Sequence, residues 1–172
     1  DTAAEYWRGD ASAGHIDVVS KTDLPEDPNV RRYLYASAQH SPGVLPFTDR
    51  NDFGTHGQNN FNVVDYRPLS RASLEVLRQW VVEGIEPPVS AYPRLDDGTA
   101  VPRETVLATL EQVPGYSIPP AASLPDLRAL DLGSAASRGV GEFPARFSAE
   151  RVPSWVSAVN ADGNEVAGIS MP

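Results

Sequence analysis

No cysteine occurs among the 172 residues, which excludes disulfides, thiolate zinc centres and cysteine nucleophiles and leaves the compartment open. No apolar run approaches the roughly 20 residues of a membrane-spanning helix. The first residues also lack the basic-then-apolar pattern of a secretory leader. Internal repeats and low-complexity tracts are absent. Like charges never gather in a block, and the formal net charge is −9, which argues against a nucleic-acid backbone or an anionic membrane surface as partner. There are only three histidines. His15 and Asp17 form an H-x-D pair that could be joined with His40 or His56 into a metal site. No spacing links these segments as zinc ligation requires, so neither metal nor cofactor is expected.

What remains is an ordinary globular composition, 41% hydrophobic and 22% charged, in a length that fits one domain with a real core. The 16 prolines gather in the second half and predict much ordered loop. The chain opens at "DTAAEYW" without methionine and reads as a processed, cleaved or excised piece.

Residues 1 to 29 are polar and turn-rich. Val30 to Ala38 is the best strand, with Tyr33 and Tyr35 on one face and Leu34 and Ala36 on the other. It ends in small residues and then His40, before Pro42 and Gly43 bend the chain away. Residues 41 to 64 have no period and read as loop. From about Tyr66 to Glu83, Leu69, Ala72, Val76, Leu77, Trp80 and Val81 recur at helical spacing opposite Arg71, Glu75, Arg78 and Glu83. Asp65 fits the N-terminal cap, Pro68 the first turn and Gly84 the stop, with Pro87 and Pro88 forbidding continuation. Trp80 is expected in the core. Asp97-Gly98 marks a tight turn between short extended pieces. Residues 113 to 125 read as a proline-stiffened loop, and "PDLRALDLG" as one helical turn or two. "WVSAVNADGNEVAGISMP" reads as a hairpin with Asp162-Gly163 in its turn.

A histidine just beyond a buried strand, followed by a loop and an amphipathic helix, is the arrangement that carries the base of an α/β-hydrolase triad. A neutral imidazole there takes a proton from a hydroxyl and later returns it, while a carboxylate fixes its tautomer. The acid would lie upstream of His40, where Glu5, Asp10, Asp17 and Asp23 are available. A triad acid should approach an imidazole nitrogen to roughly 2.6–3.2 Å.

The segments "AAEYWRGDAS", "VRRYLYASAQHSPG", "NVVDYRPLSRASLEVLRQWVVEGIEPPVSAYPRLDDGTAVP" and "VNADGNEVAGISMP" resemble, in order, the carboxyl-terminal part of a bacterial family of α/β-hydrolase domain-containing proteins. The run from His40 through Trp80-Val81 to Gly84 and Pro87 is similar, more distantly, to tannase and feruloyl-esterase sequences. The resemblance implies an α/β fold: the carboxyl-terminal portion of an α/β-hydrolase with a long, loop-rich, partly β extension. Residues 1–88 would supply the acid loop, last strand, histidine loop and final helix. Residues 89–172 would be a proline-rich extension with short hairpins packed on that core. It further implies a serine ester hydrolase acting on a small-molecule ester, with His40 as the triad histidine and Glu5 as the acid.

The chain departs from that pattern in lacking G-x-S-x-G. Its nearest imitation is "GYSIPP", where Ser117 is followed by proline instead of the second glycine and lies downstream of His40, so it reads as a loop serine. The nucleophile is therefore expected outside the chain, on an amino-terminal hydrolase segment or a second chain. The competing reading is a non-catalytic, hydrolase-like binding or structural module. The blander roles are a strand-end histidine bonded to loop backbone for His40 and a surface carboxylate for Glu5. Tyr6 and Trp7 would either wall an acyl or alcohol pocket or pack under the loop, and His56 reads more as a solvated loop residue than as one lining a substrate entrance.

Overall fold

In the computed structural model, which describes residues 1–51 and 53–170, three helices alternate with short antiparallel pairs. Helix α1 (Ala3–Arg8) leads to a hairpin of β1 (Ile16–Asp17) and β2 (Thr22–Asp23). Helix α2 spans Arg67–Glu83, β3 Ala100–Val101 and α3 Arg103–Leu110. Strands β4 (Arg128–Asp131) and β5 (Arg146–Arg151) pair antiparallel, and β6 (Val156–Ser157) pairs with β3. The Met171 and Pro172 end of the expected hairpin lies outside the described residues.

The segment predicted as the main strand is extended but is not a continuous strand. Its pairing is divided among three short neighbours, each parallel to it: Thr2 opposite Tyr35, Ala91 opposite Tyr33, and Ile169 opposite Tyr35. On one edge the Asp1 nitrogen donates to Tyr33 O (3.1 Å) and Tyr35 N donates to Asp1 O (2.8 Å). On the other, Leu34 N bonds Ala91 O and Ala36 N bonds Ile169 O, both at 2.9 Å. The two faces divide as the alternation requires. Leu34 is fully buried with Ala3, Tyr6, Ala11, Val106 and Val156, each large apolar side chain contributing about 1.5–3 kcal/mol. Tyr33 and Tyr35 face α2 instead: the Tyr35 hydroxyl meets Ser73 Oγ at 2.8 Å, and the Tyr33 hydroxyl donates to Pro88 O. This core draws on α1, α3, β6 and the extended segment, so residues on both sides of position 88 share it.

Gly168 makes the Ile169 pairing possible. Its φ is +94°, and an added Cβ would lie 2.5 Å from Leu34 O, so only glycine brings the two backbones together there.

Helix α2 ends as its sequence indicates, at Gly84 in the left-handed conformation (φ 71°). Its start differs by one position. Tyr66 occupies the cap site, and Asp65 instead accepts from the Arg67 amide (3.0 Å) and guanidinium (2.7 Å). The helix has no fully buried residue. Trp80, expected in the core, is half-buried with the Arg31 guanidinium 4.9 Å from its ring centre, a cation–π contact. Leu77 and Val81 on the same stripe stay exposed. The amphipathic pattern is thus real, but the described residues cover only part of its apolar face.

"PDLRALDLG" forms β4 rather than helical turns: Leu130 pairs with Phe147 in a solvent-exposed ribbon. The Asp162-Gly163 turn forms as the sequence indicates, with Gly163 at φ 83° and Asn160 N bonded to Asn164 O.

Candidate active site

Glu5 sits in the first turn of α1, where its carboxylate turns back on Thr2. Oε2 accepts the Thr2 amide at 2.5 Å and the Thr2 hydroxyl at 2.6 Å. The bond from the Thr2 amide satisfies a helix-start N–H that would otherwise be orphaned. The T-x-x-E spacing is the local signal for this helix start, and it also fixes the carboxylate. Because Oε2 is occupied, Oε1 is left to point elsewhere.

It meets the imidazole of His40, whose Nδ1 lies 2.6 Å from Glu5 Oε1. The path from strand to histidine turns sharply at Ser37, which takes a left-handed φ of 56°. Asn62 Nδ2 donates to Ser37 O at 2.6 Å, and Asn62 N donates to Gln39 Oε1 at 3.1 Å. The Tyr66 hydroxyl, at the entry to α2, donates to His40 O at 2.5 Å. The strand end, the loop and the helix start together place the ring.

The pair is electrostatically divided. Glu5 has 12% of its side chain exposed and His40 has 68%. Burial pushes the Glu5 carboxyl up, but the hydrogen bonds from Thr2 and His40 outweigh it, so the group titrates below its ordinary value and is ionised at neutral pH. An ionised carboxylate at Nδ1 favours the tautomer with its proton on Nδ1 and a lone pair on Nε2. Among the described residues Nε2 has no hydrogen-bond partner. The arrangement is an oriented imidazole with a free basic nitrogen on an exposed ring, which can accept a proton and give it back.

The other acids considered for this role are engaged elsewhere. Asp10 is bidentate to Arg8 at 2.8 Å. Asp17 accepts the amides of Val19 and Ser20, and Asp23 those of Leu95 and Asp96. His56 lies 3.2 Å from Asp49 in the loop. His15 is buried against Tyr6, whose hydroxyl meets Nε2 at 3.0 Å. Among the described residues no three His, Asp or Glu side chains gather as metal ligands. Ser117 lies exposed in irregular chain after α3.

No family model, curated protein or solved structure matches this chain.

A cleft of about 450 Å³ is walled by Ala4, Trp7, Leu110 and Tyr116 and bordered by Gln39 and Glu165. Ala4 and Gln39 are the chain neighbours of the pair, while neither Glu5 nor His40 lines the cleft. Trp7 therefore faces a cavity, whereas Tyr6, its neighbour, is buried in the core. Thr2, Tyr66 and Asn62 are the positioning residues that sequence reading missed. Only Thr2 carries a local signal, its spacing to Glu5.

Proposed function

We propose that this chain supplies the histidine and the acid of a serine ester hydrolase. In this reading it is the carboxyl-terminal portion of an α/β-hydrolase fold, and an amino-terminal hydrolase segment or a second chain brings the nucleophilic serine. The observation that carries the reading is the 2.6 Å contact between Glu5 Oε1 and His40 Nδ1, with Nε2 unpartnered among the described residues. The parallel pairing of Tyr35 with Thr2, just before the acid, supports it, as does the uncovered apolar stripe of α2.

The serine hydroxyl attacks the ester carbonyl carbon while His40 Nε2 takes its proton, and Glu5 stabilises the imidazolium that forms. The carbon–oxygen bond to the alcohol breaks, and His40 returns the proton to the departing oxygen. Water then repeats the sequence on the acyl-serine, releasing the acid and regenerating the hydroxyl. The substrate is a small-molecule carboxylic ester.

The second reading, a non-catalytic hydrolase-like module, is favoured by one observation: no hydroxyl among the described residues bonds His40 Nε2. Labelling the assembly of this chain and its serine-bearing partner with a serine-reactive phosphonate separates the two. The hydrolase reading expects covalent labelling of the partner serine. It also expects His40→Ala to lower kcat by about three orders of magnitude or more, since triad members act as a unit. Ester turnover unchanged in a folded His40→Ala assembly sinks the hydrolase reading.

A further inference from the structure

The turn that carries His40 is held from a direction the triad reading does not use. After the Asp162-Gly163 turn the chain returns along Val159, bridges it at Glu165, and then pairs at Ile169 with the extended segment. This path sets the Glu165 side chain against the end of that segment. There its Oε2 accepts the amide of Ser37. Ser37 is one of two non-glycine residues with a positive φ among the described residues. A left-handed serine is disfavoured sterically and persists only where its surroundings hold it. Asn62 holds its carbonyl and Glu165 its amide, so both sides of the turn are clamped.

Glu165 is an unusual residue to spend on a loop amide. Burial pushes its carboxyl above the ordinary range, and the Ser37 amide only partly opposes that. Its Oε1 is buried and has no hydrogen-bond partner among the described residues. A buried, half-satisfied carboxylate costs stability relative to an apolar residue at the same place. What it contributes is a firm acceptor at the residue where the chain leaves the strand, three positions before His40.

We propose that Glu165 is a positioning residue for His40, acting through the Ser37 amide to fix the turn that delivers Nδ1 to Glu5. The role deepens the hydrolase reading and rests on it only for its catalytic consequence, because the positioning is measurable in this chain without substrate. Loosening the Ser37 turn lets the ring leave Glu5, while helix α1 and the core around Leu34 stay formed.

The test is nuclear magnetic resonance on the 172-residue chain. A short imidazole-to-carboxylate hydrogen bond gives the His40 Nδ1 proton a far-downfield resonance, and Glu165→Ala is expected to abolish it. Exchange of the Ser37 amide is expected to rise by about tenfold, the factor one net hydrogen bond supplies. The amides of Leu34 and Val156 report whether the core is intact. Glu165→Gln keeps a carbonyl acceptor without charge and is expected to restore both signals.

If Glu165→Ala does not fold, Glu165→Asp takes its place. One methylene shorter, it withdraws the acceptor and is expected to broaden or remove the same resonance. A downfield proton unchanged in a folded Ala or Asp variant overturns the proposal and leaves the hydrolase reading standing. Because the His40 ring is 68% exposed, solvent exchange can hide that proton, and the ring nitrogen shifts then read the pairing. Nδ1 and Nε2 shifts left unchanged by Glu5→Gln overturn both, since Glu5 and His40 would then not be paired.

Discussion

Glu5 and Thr2 form a closed unit in which the carboxylate that starts a helix also orients a histidine. Oε2 is held by the Thr2 amide and hydroxyl, and Oε1 by His40 Nδ1. Helix capping and the orientation of the imidazole are therefore a single device that uses both carboxylate oxygens.

Thr2→Val removes the hydroxyl and keeps both the shape and the amide. Because the Thr2 side chain is the largest of the influences lowering Glu5, the substitution is expected to raise the Glu5 titration midpoint toward its ordinary value. The stability that Glu5 contributes is present above the ordinary carboxyl value of 4.5 and is lost as pH falls through the lower folded value. In the variant that contribution is smaller, and its loss is complete at a higher pH. Carbon-detected titration of the Glu5 carboxyl measures it, and an unmoved midpoint contradicts the assigned role of Thr2.

His15 gives the opposite kind of group, buried and neutral. Burial, helped by the nearby Arg32, lowers its imidazole from 6.5 to about 4. The unfolded chain takes up a proton below 6.5 that the folded chain refuses until about 4. Stability is therefore expected to fall as pH drops through that interval and to change no further on this account below it. His15→Phe preserves bulk beside Tyr92 but removes the titration. Its loss of stability between pH 7 and pH 4.5 in urea unfolding should be smaller than that of the parent chain. At pH 7 it should itself be less stable by about 1–3 kcal/mol, because the Tyr6 hydroxyl loses its buried partner. Equal pH slopes in the two proteins contradict the assignment.

The parts legible in the sequence are those whose cause is local. Helix α2 follows from a 3.6-residue period and a terminal glycine, and the Asp162-Gly163 turn from the demand for positive φ. Strand-end position points to His40 and leaves four acids open, the resemblance selects Glu5 among them, and the structure brings the two side chains together. Long-range pairing was not legible. Nothing near Tyr35 specifies that Thr2 and Ile169 will flank it. "RALD" carries equally weak signals for helix and strand, and it was decided by its partner Phe147. Glu165 has no local signature at all, since its importance comes from a contact with Ser37, which lies 128 positions away. Trp80 is half-buried instead of in the core because an apolar stripe shows which side of a helix avoids water without showing what covers it.

That stripe yields the last prediction. Leu77 and Val81 remain 50% and 76% exposed, so the isolated chain gains little from them. Leu77→Ser with Val81→Ser is expected to change the folding free energy of the chain alone by no more than about 1 kcal/mol, as at other exposed sites. If the serine-bearing polypeptide packs on α2, the same two side chains become buried on assembly. Full burial of a leucine or valine contributes about 1.5–3 kcal/mol, and roughly half of that remains to be gained here. The double variant should then bind the partner about tenfold to a hundredfold more weakly, as measured by calorimetric titration of one polypeptide into the other. Unchanged affinity would show that the serine-bearing polypeptide does not dock on this face. A large drop in the stability of the chain alone would instead show that α2 is covered by the chain itself, and would remove the reason for expecting a partner there.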